Sequence, residues 1–210
     1  MGLVMNSLLG SRHGGGDEFF GDVVLLLPMV GASATSLSDK SSRGHNTWTF
    51  NGTSKTVGAQ FKFVTPSLSI EIASPRDVFA PDSGDWDIGD GDFTVEAHVR
   101  FRTLPVATDA TILAQWAFPN FGWNCRLAAA TMDMQWSTTG GNSRGSGTQV
   151  YVGGDNVIDT WFHFTWTRQG TTYRLFRDGV QAGADVVNVD IFFTSADVLH
   201  MGASDVGSSN

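Results

Sequence analysis

Hydrophobic and polar residues alternate along much of this chain. The clearest run is 93–101 (FTVEAHVRF), in which every second residue is apolar. Because successive side chains of a strand point to opposite faces, this alternation predicts a strand with one buried face. Residues 162–167 (FHFTWT) repeat the pattern, and a third run, 172–177 (TYRLFR), follows after a Gln-Gly pair. Together the three runs indicate a sheet that is buried on one side.

Turn signals separate the β-type runs. Asp178 and Gly179 stand between two of them, and both residue types tolerate the positive φ that a two-residue hairpin needs. Further short runs lie between clusters of Gly, Asn, Asp and Ser, at residues 22–27, 67–72, 76–80, 110–117, 122–128, 131–137, 148–152 and 197–202. Helical periods do not alternate with these strands, which argues against a parallel sheet. The predicted fold class is all-β, with two antiparallel sheets forming a sandwich.

Large aromatic residues supply the predicted core. The chain has 7 Trp and 15 Phe, and a sandwich needs large side chains between its sheets. The expected core positions are Trp116, Trp123, Trp161, Phe162, Phe164 and Trp166. Phe118 and Phe121, near the tip of the loop between the first two of these, are expected to be exposed.

Residues 1–21 differ from the rest of the chain and are predicted to form a flexible N-terminal arm ahead of a sandwich at 22–210. Three consecutive glycines at 14–16 give the arm the composition of a hinge. One interpretation is a disordered leader. The other is an anchor that becomes ordered only against a partner subunit. The residues that would dock are Leu3, Val4, Met5, Leu8 and Leu9.

Composition excludes several functional classes. The 210 residues fit one domain with an extension. A net charge of −8 argues against a nucleic-acid binder, which needs a basic face. The single cysteine, Cys125, excludes a disulfide within the chain and a thiolate zinc cluster. No apolar run approaches the length of a transmembrane helix, so membrane insertion is not expected.

An aspartate-rich turn precedes the strand at 93–101. It contains Asp85, Asp87, Asp90 and Asp92. Calcium binds several oxygen ligands, and such a cluster could supply them. Asp side chains also accept local backbone hydrogen bonds in turns, and the spacing does not match an EF-hand loop. The structural turn is the favoured interpretation, with calcium as the one candidate cofactor.

The carboxylates needed for glycoside hydrolysis are not paired. A retaining glycosidase holds two carboxyl groups about 5–5.5 Å apart. The only glutamates are Glu18, Glu71 and Glu96, and none has an acidic partner two residues away. The chain also lacks a Gly-x-Ser-x-Gly nucleophile motif. The sequence therefore predicts a protein that is not an enzyme.

A polar strand face is the candidate ligand site. Glu96, His98 and Arg100 alternate with apolar residues, so they share the solvent face of their strand. Polar groups of this kind fix the orientation of a sugar, and aromatic side chains stack on its ring. The exposed aromatics Phe118 and Phe121 could provide such stacking. His163 would approach His98 if the strands that carry them are neighbours.

Five segments carry a family resemblance. Residues 82–100 (DSGDWDIGDGDFTVEAHVR) resemble a signature of concanavalin A-like jelly-roll domains, of the laminin-G-like type found in bacteriophage virion proteins. Residues 159–168 and 172–180 are similar to the strand and hairpin that follow, and residues 22–27 and 38–45 to the opening strand and its turn. The resemblance implies a two-sheet jelly roll. It also implies a further strand, beside the opening one, that would come from a neighbouring subunit or a longer native chain.

The resemblance also implies a function. It suggests a structural protein of a phage virion, either a capsid decoration (cement) protein or a component of a tail fibre or spike. Such a protein would be assembled in the host cytoplasm and anchored through its N-terminal arm. Its partners would be other virion proteins and copies of itself, as a trimer, with host polysaccharide as a further ligand. The alternative is a carbohydrate-binding module of a bacterial adhesin or secreted protein.

Overall fold

The computed structural model describes residues 3–6, 20–29, 35–58, 60–63, 67–70, 77–103, 110–128, 131–141 and 158–202. Within these residues the chain forms strands and two short 3-10 helices, Phe20–Asp22 and Gly84–Trp86. The strands are β1 (Leu3–Asn6), β2 (Thr49–Phe50), β3 (Lys55–Val57), β4 (Ser67–Ile70), β5 (Val78–Ala80), β6 (Phe93–Phe101), β7 (Ala110–Ala117), β8 (Asn120–Ala128), β9 (Thr131–Gly140), β10 (Trp161–Gln169), β11 (Thr172–Arg177), β12 (Val180–Gln181), β13 (Val186–Val187) and β14 (Leu199–Met201).

The strands build two antiparallel sheets. The first has the order β12-β11-β10-β6-β1-β4-β3, and β13 also pairs with β11. The second has the order β2-β5-β14-β7-β8-β9. The predicted all-β sandwich is therefore confirmed. Within the described ranges, no helix has the length and hydropathy of a membrane span.

The core lies between the two sheets and follows from the alternation in the sequence. On β6 the side chains of Ala97, Val99 and Phe101 are buried, while the residues between them face outward. Trp136 of β9, Tyr173 of β11 and Phe192 stack on one another, with ring centroids 4.8 Å, 5.0 Å and 6.1 Å apart. Each large apolar side chain buried in this way contributes roughly 1.5–3 kcal/mol relative to an exposed one.

Four of the six aromatic positions predicted for the core belong to it, namely Trp123, Phe162, Phe164 and Trp166. Trp116 is buried too, but it packs with Ala114 and Phe121 in a separate small cluster. The prediction for Trp161 is wrong. Trp161 lies opposite Arg100 in the register of β10 and β6, on the outer face and only half-buried, because the alternation in β10 separates it from Phe162.

The hairpin predicted at Asp178 and Gly179 is confirmed. Both residues have positive φ, 51° and 79°. Arg177 pairs directly with Val180, so these two residues form the whole loop. The hairpin joins β11 to β12 at the edge of the first sheet.

The N-terminal part of the chain differs from its prediction. Leu3–Asn6 is β1, which pairs with β4 on one side and β6 on the other, so the structure places the backbone of Leu3, Val4 and Met5 in the chain's own sheet rather than in an unpaired arm. Leu8 and Leu9 lie outside the described residues, as does the strand predicted at 148–152. Docking of the N-terminal segment onto another subunit remains a prediction.

The opening strand predicted at 22–27 is not formed, and this segment instead hydrogen-bonds through Leu26 to Asp39 and Lys40. The Leu26 amide donates to Asp39 Oδ1 at 2.9 Å, and the Leu26 carbonyl accepts from the Lys40 amide at 2.8 Å. The same carboxylate accepts from the amides of Ser41 and His45. Burial raises the pKa of Asp39, but these hydrogen bonds outweigh it and hold the pKa below its usual value.

Candidate functional site

The polar face of β6 lies on the outside of the first sheet, as the alternation predicts. Glu96, His98 and Arg100 point away from the core, and β10 runs beside them. In the antiparallel register His98 lies opposite His163, and Arg100 lies opposite Trp161. The expectation that His98 and His163 approach each other is therefore confirmed.

The two histidines form the centre of this surface. Their rings stack with centroids 4.3 Å apart and an angle of 15° between planes. Phe63 contacts His98 edge-on, with a centroid distance of 4.7 Å and an interplanar angle of 84°. On the other side, His163 Nε2 lies 3.2 Å from Glu96 Oε2. The imidazole rings are thus held between an aromatic edge and a carboxylate.

Arg100 extends the same surface. Its Nη2 lies 2.7 Å from Asp159 Oδ1, and the Asp159 side chain is 60% exposed. Trp161, half-buried beside this ion pair, presents part of its ring to solvent. We refer to the set as the His98–His163 surface, which consists of Phe63, Glu96, His98, Arg100, Trp161 and His163.

Each carboxylate at this surface is engaged by a neighbouring side chain, since Glu96 faces His163 and Asp159 faces Arg100. Hydrogen-bonding groups lie next to the aromatic rings of Phe, His and Trp residues. This arrangement suits a ligand ring that carries hydroxyl groups.

The loop aromatics do not join this surface. Phe118 follows β7 in the second sheet and is 74% exposed, as predicted. The prediction for Phe121 is wrong, since it is 3% exposed and packs 4.9 Å from the Trp116 ring. A register shift between Gln115 and Trp116 accompanies the pairing of Phe121 with Trp116 across β7 and β8.

The aspartate-rich turn is held by separate structural contacts. Asp85 Oδ2 lies 2.8 Å from His45 Nε2, and Asp92 Oδ1 accepts from the Gly170 amide at 2.6 Å. Asp87 caps a 3-10 helix with its backbone amide, while its side chain and that of Asp90 are exposed. Among the described residues no group of three or more metal-ligating side chains converges. The four aspartates predicted as calcium ligands are thus not brought together.

Part of the site is predictable from the sequence. The alternation in β10 places Trp161 and His163 on the same face, so His163 could be found from the sequence. Phe63 was missed, because it lies in a loop without periodicity and reaches His98 only through the tertiary fold. Asp159 also lies outside a strand, and it reaches Arg100 only through the tertiary fold.

Residues 76–210 match the family described as the concanavalin A-like lectin/glucanases superfamily. The chain belongs to this superfamily. No curated protein sequence matches it significantly. Solved structures similar to this superfamily member include the botulinum neurotoxin serotype G binding domain, with a TM-score of 0.60 and 14% identity over 86% of this chain and 45% of that one. The chain thus spans a little under half the length of the toxin binding domain.

A second similar structure is domain 4 of AbnA, a GH43 extracellular arabinanase from Geobacillus stearothermophilus, in complex with arabinotriose. Its TM-score is 0.57, with 15% identity over 82% of this chain and 85% of that one. A third is the botulinum neurotoxin serotype D ligand-binding domain in complex with N-acetylneuraminic acid, with a TM-score of 0.59 and 11% identity over 88% and 44%. At these identities the likeness establishes the lectin/glucanase fold.

Proposed function

We propose that this chain is a non-catalytic carbohydrate-binding domain whose ligand lies on the His98–His163 surface. The observation that carries the proposal is the stacked pair of histidines between Phe63 and Glu96. The rings give a sugar an apolar contact, and Glu96 accepts hydrogen bonds from its hydroxyl groups. Sugars bound to the similar arabinanase and toxin domains belong to those proteins, and they suggest the ligand class to be tested here.

A glycan array tests the proposal. Wild-type protein is expected to bind a subset of glycans, His98→Ala is expected to lose those hits, and Phe118→Ala is expected to keep them. Phe118 is the matched control because it is an exposed aromatic on the opposite sheet. A hit oligosaccharide incubated with the protein should release no new reducing ends, since Glu96 is paired with His163 and Asp159 with Arg100. An array without hits would exclude the proposal.

The setting we propose is a phage virion, in a capsid decoration protein or a tail fibre or spike. The sequence resemblance to laminin-G-like virion modules supports it. A specific surface favours self-association, because Val180, Val187, Val189 and Ile191 are between 59% and 76% exposed along one edge of the first sheet. Exposed apolar patches of this kind mark protein contacts. The alternative setting is an adhesin or secreted protein.

Particle composition distinguishes the two settings. A virion protein would copurify with intact particles at a high, symmetric copy number, which quantitative mass spectrometry measures. A trimer would give a copy number divisible by three. Absence of the chain from purified particles, together with glycan binding, would favour the adhesin or secreted module.

A further inference from the structure

His98 and His163 occupy the kind of cross-strand position at which two side chains come closest. The His163 amide donates to Asp178 Oδ1 at 3.0 Å, and the His163 carbonyl accepts from the Asp178 amide at 2.8 Å. Because the amide and carbonyl of a residue in an antiparallel strand lie on the same side, both of these groups point away from β6. His98 and His163 thus form a non-hydrogen-bonded pair, in which the Cα atoms are about 4.5 Å apart.

The two imidazole rings are close enough to share one metal ion. Their centroids are 4.3 Å apart and their planes differ by 15°. Two nitrogens bound to one tetrahedral zinc ion, each at about 2.0–2.1 Å, lie roughly 3.3 Å apart. The ring edges therefore have to approach each other by about 1 Å. Rotation about the Cβ–Cγ bond provides this movement at low cost, because that torsion of histidine has a broad energy minimum.

The charges around the histidine pair favour a cation. Glu96 Oε2 lies 3.2 Å from His163 Nε2, so a carboxylate stands directly beside one of the ligating rings. Arg100 is on the same face of β6, but its charge is compensated by Asp159, 2.7 Å away. With both histidines neutral, the charge of Glu96 leaves this surface negative, and a bound metal ion would offset it.

Solvent reaches the histidine pair, so a hydrated ion has access to it. The His163 side chain is 28% exposed, and His98 is also partly exposed. Among the described residues no group of three metal-ligating side chains converges, so water molecules would complete the coordination of an ion held by the two rings. A site with two protein ligands thus keeps open coordination positions.

We propose that His98 and His163 together bind one divalent transition-metal ion through one nitrogen of each ring, with Glu96 supplying negative charge beside it. Imidazole is a suitable ligand for copper, nickel and zinc, and Cu²⁺ binds most tightly of these at a given site. The ligating imidazoles bind the ion in their neutral form. The metal site is independent of glycan binding, because it requires only the geometry of the histidine pair.

Isothermal titration of the full chain with CuCl₂ and with ZnCl₂, in the absence of glycan, tests the proposal. Wild-type protein is expected to bind both ions, Cu²⁺ more tightly than Zn²⁺. His98→Ala and His163→Ala are each expected to weaken binding by about tenfold or more, because one imidazole alone cannot chelate the ion. Thermal melting without metal checks the folding of both variants. Absence of binding by the wild type, or unchanged affinity in either variant, would overturn the proposal.

His45→Ala is the matched control. His45 Nε2 lies 2.8 Å from Asp85 Oδ2, so this residue also pairs with a carboxylate, but its ring contacts Trp86 rather than a second histidine. We expect wild-type affinity in this variant, and a loss equal to that of His98→Ala would overturn the proposal. Glu96→Gln removes only the neighbouring charge and is expected to weaken binding by about two- to fivefold. A greater loss in Glu96→Gln than in His98→Ala would make the carboxylate the main ligand and would also overturn it.

Electron paramagnetic resonance of the copper-loaded chain counts the nitrogen ligands directly. Nitrogen hyperfine coupling is expected to show two ligating imidazoles in the wild type and one in His98→Ala at excess copper. This count separates chelation from a purely structural role of His98, because a loosened surface alone would not remove one nitrogen from the ion. A wild-type spectrum with a single ligating nitrogen would overturn the proposal even if a variant fails to fold.

Discussion

His98 and His163 stack on each other across β6 and β10, with ring centroids 4.3 Å apart. The contact joins two strands at the middle of the first sheet, where both rings are partly exposed. Phe63 holds the outer side of His98, although it lies on a loop that precedes β4. The His98–His163 surface therefore depends on one loop contact as well as on the sheet.

Removal of the Phe63 ring is expected to weaken glycan binding. Phe63→Ala takes away the edge contact that fixes His98 and part of the apolar surface. We expect a loss of about tenfold in affinity, which is about 1.4 kcal/mol. Isothermal titration with an array hit measures it. Phe118→Ala is the control, and an equal loss in both variants would place the ligand elsewhere.

Stability should fall at alkaline pH because of His200. Its Nδ1 lies 3.0 Å from Asp77 Oδ2, and its Nε2 lies 3.5 Å from Asp197 Oδ2. Burial lowers the pKa of His200, but these carboxylates outweigh burial and raise it from 6.5 to about 9. The folded state thus holds the proton more tightly than the unfolded state. Its contribution, on the order of 3 kcal/mol, is complete below pH 6.5 and lost as the pH rises through 9.

Urea unfolding between pH 6 and pH 9.5 measures this dependence. His200→Gln is expected to flatten the decline in unfolding free energy over that interval. His98→Gln, which changes an outer-face histidine, is expected to keep the decline. A wild-type protein with constant stability from pH 6 to pH 9.5 would show that His200 is not held protonated.

Removal of one partner of the ion pair between Arg126 and Asp133 should lower the stability of the fold. Arg126 Nε and Nη2 donate to the two carboxylate oxygens at 2.7 Å and 3.1 Å, and both side chains are about 4% exposed. Arg126→Met leaves Asp133 buried without its cation, and we expect a loss of about 3–5 kcal/mol. The double variant Arg126→Met/Asp133→Leu should recover much of this loss in urea unfolding. Additive losses would contradict the pairing.

Gly202 should not tolerate a side chain. Its φ is +93°, and a Cβ atom there would lie 2.5 Å from Ile70 Cδ1. Gly202→Ala therefore combines backbone strain with overpacking, and we expect a loss of about 2–4 kcal/mol. Gly89→Ala, with φ of +59° and open space around it, isolates the backbone strain and should cost about 1–2 kcal/mol. Thermal melting compares the two variants. Equal losses of stability would show that the Ile70 side chain moves to accommodate the new Cβ atom.

The alternation in the sequence was sufficient to predict the sheet faces. It identified β6, β10 and β11, and with them the outward positions of Glu96, His98 and Arg100. Strand periodicity depends only on local backbone geometry, so it can be read without the tertiary structure. The Asp-Gly hairpin was predicted on the same local basis.

The structural features that the sequence did not predict depend on contacts between residues far apart in the chain. Residues 22–27 have strand-forming side chains, yet they belong to neither sheet, and Leu26 hydrogen-bonds to Asp39 instead. β1 pairs with strands that lie more than 60 residues away along the chain. The position of Phe63 on His98 depends likewise on how a loop packs. Such contacts have no period in the sequence that would reveal them.

Chemical-shift mapping with a glycan hit shows directly whether the sugar binds at the His98–His163 surface. An isotope-labelled sample of the full chain is titrated with the oligosaccharide, and the shifts of the backbone amides are followed. The largest changes are expected at Glu96, His98 and His163, with Phe118 unaffected. Changes centred on Phe118 and the loop between β7 and β8, with β6 and β10 silent, would contradict this expectation.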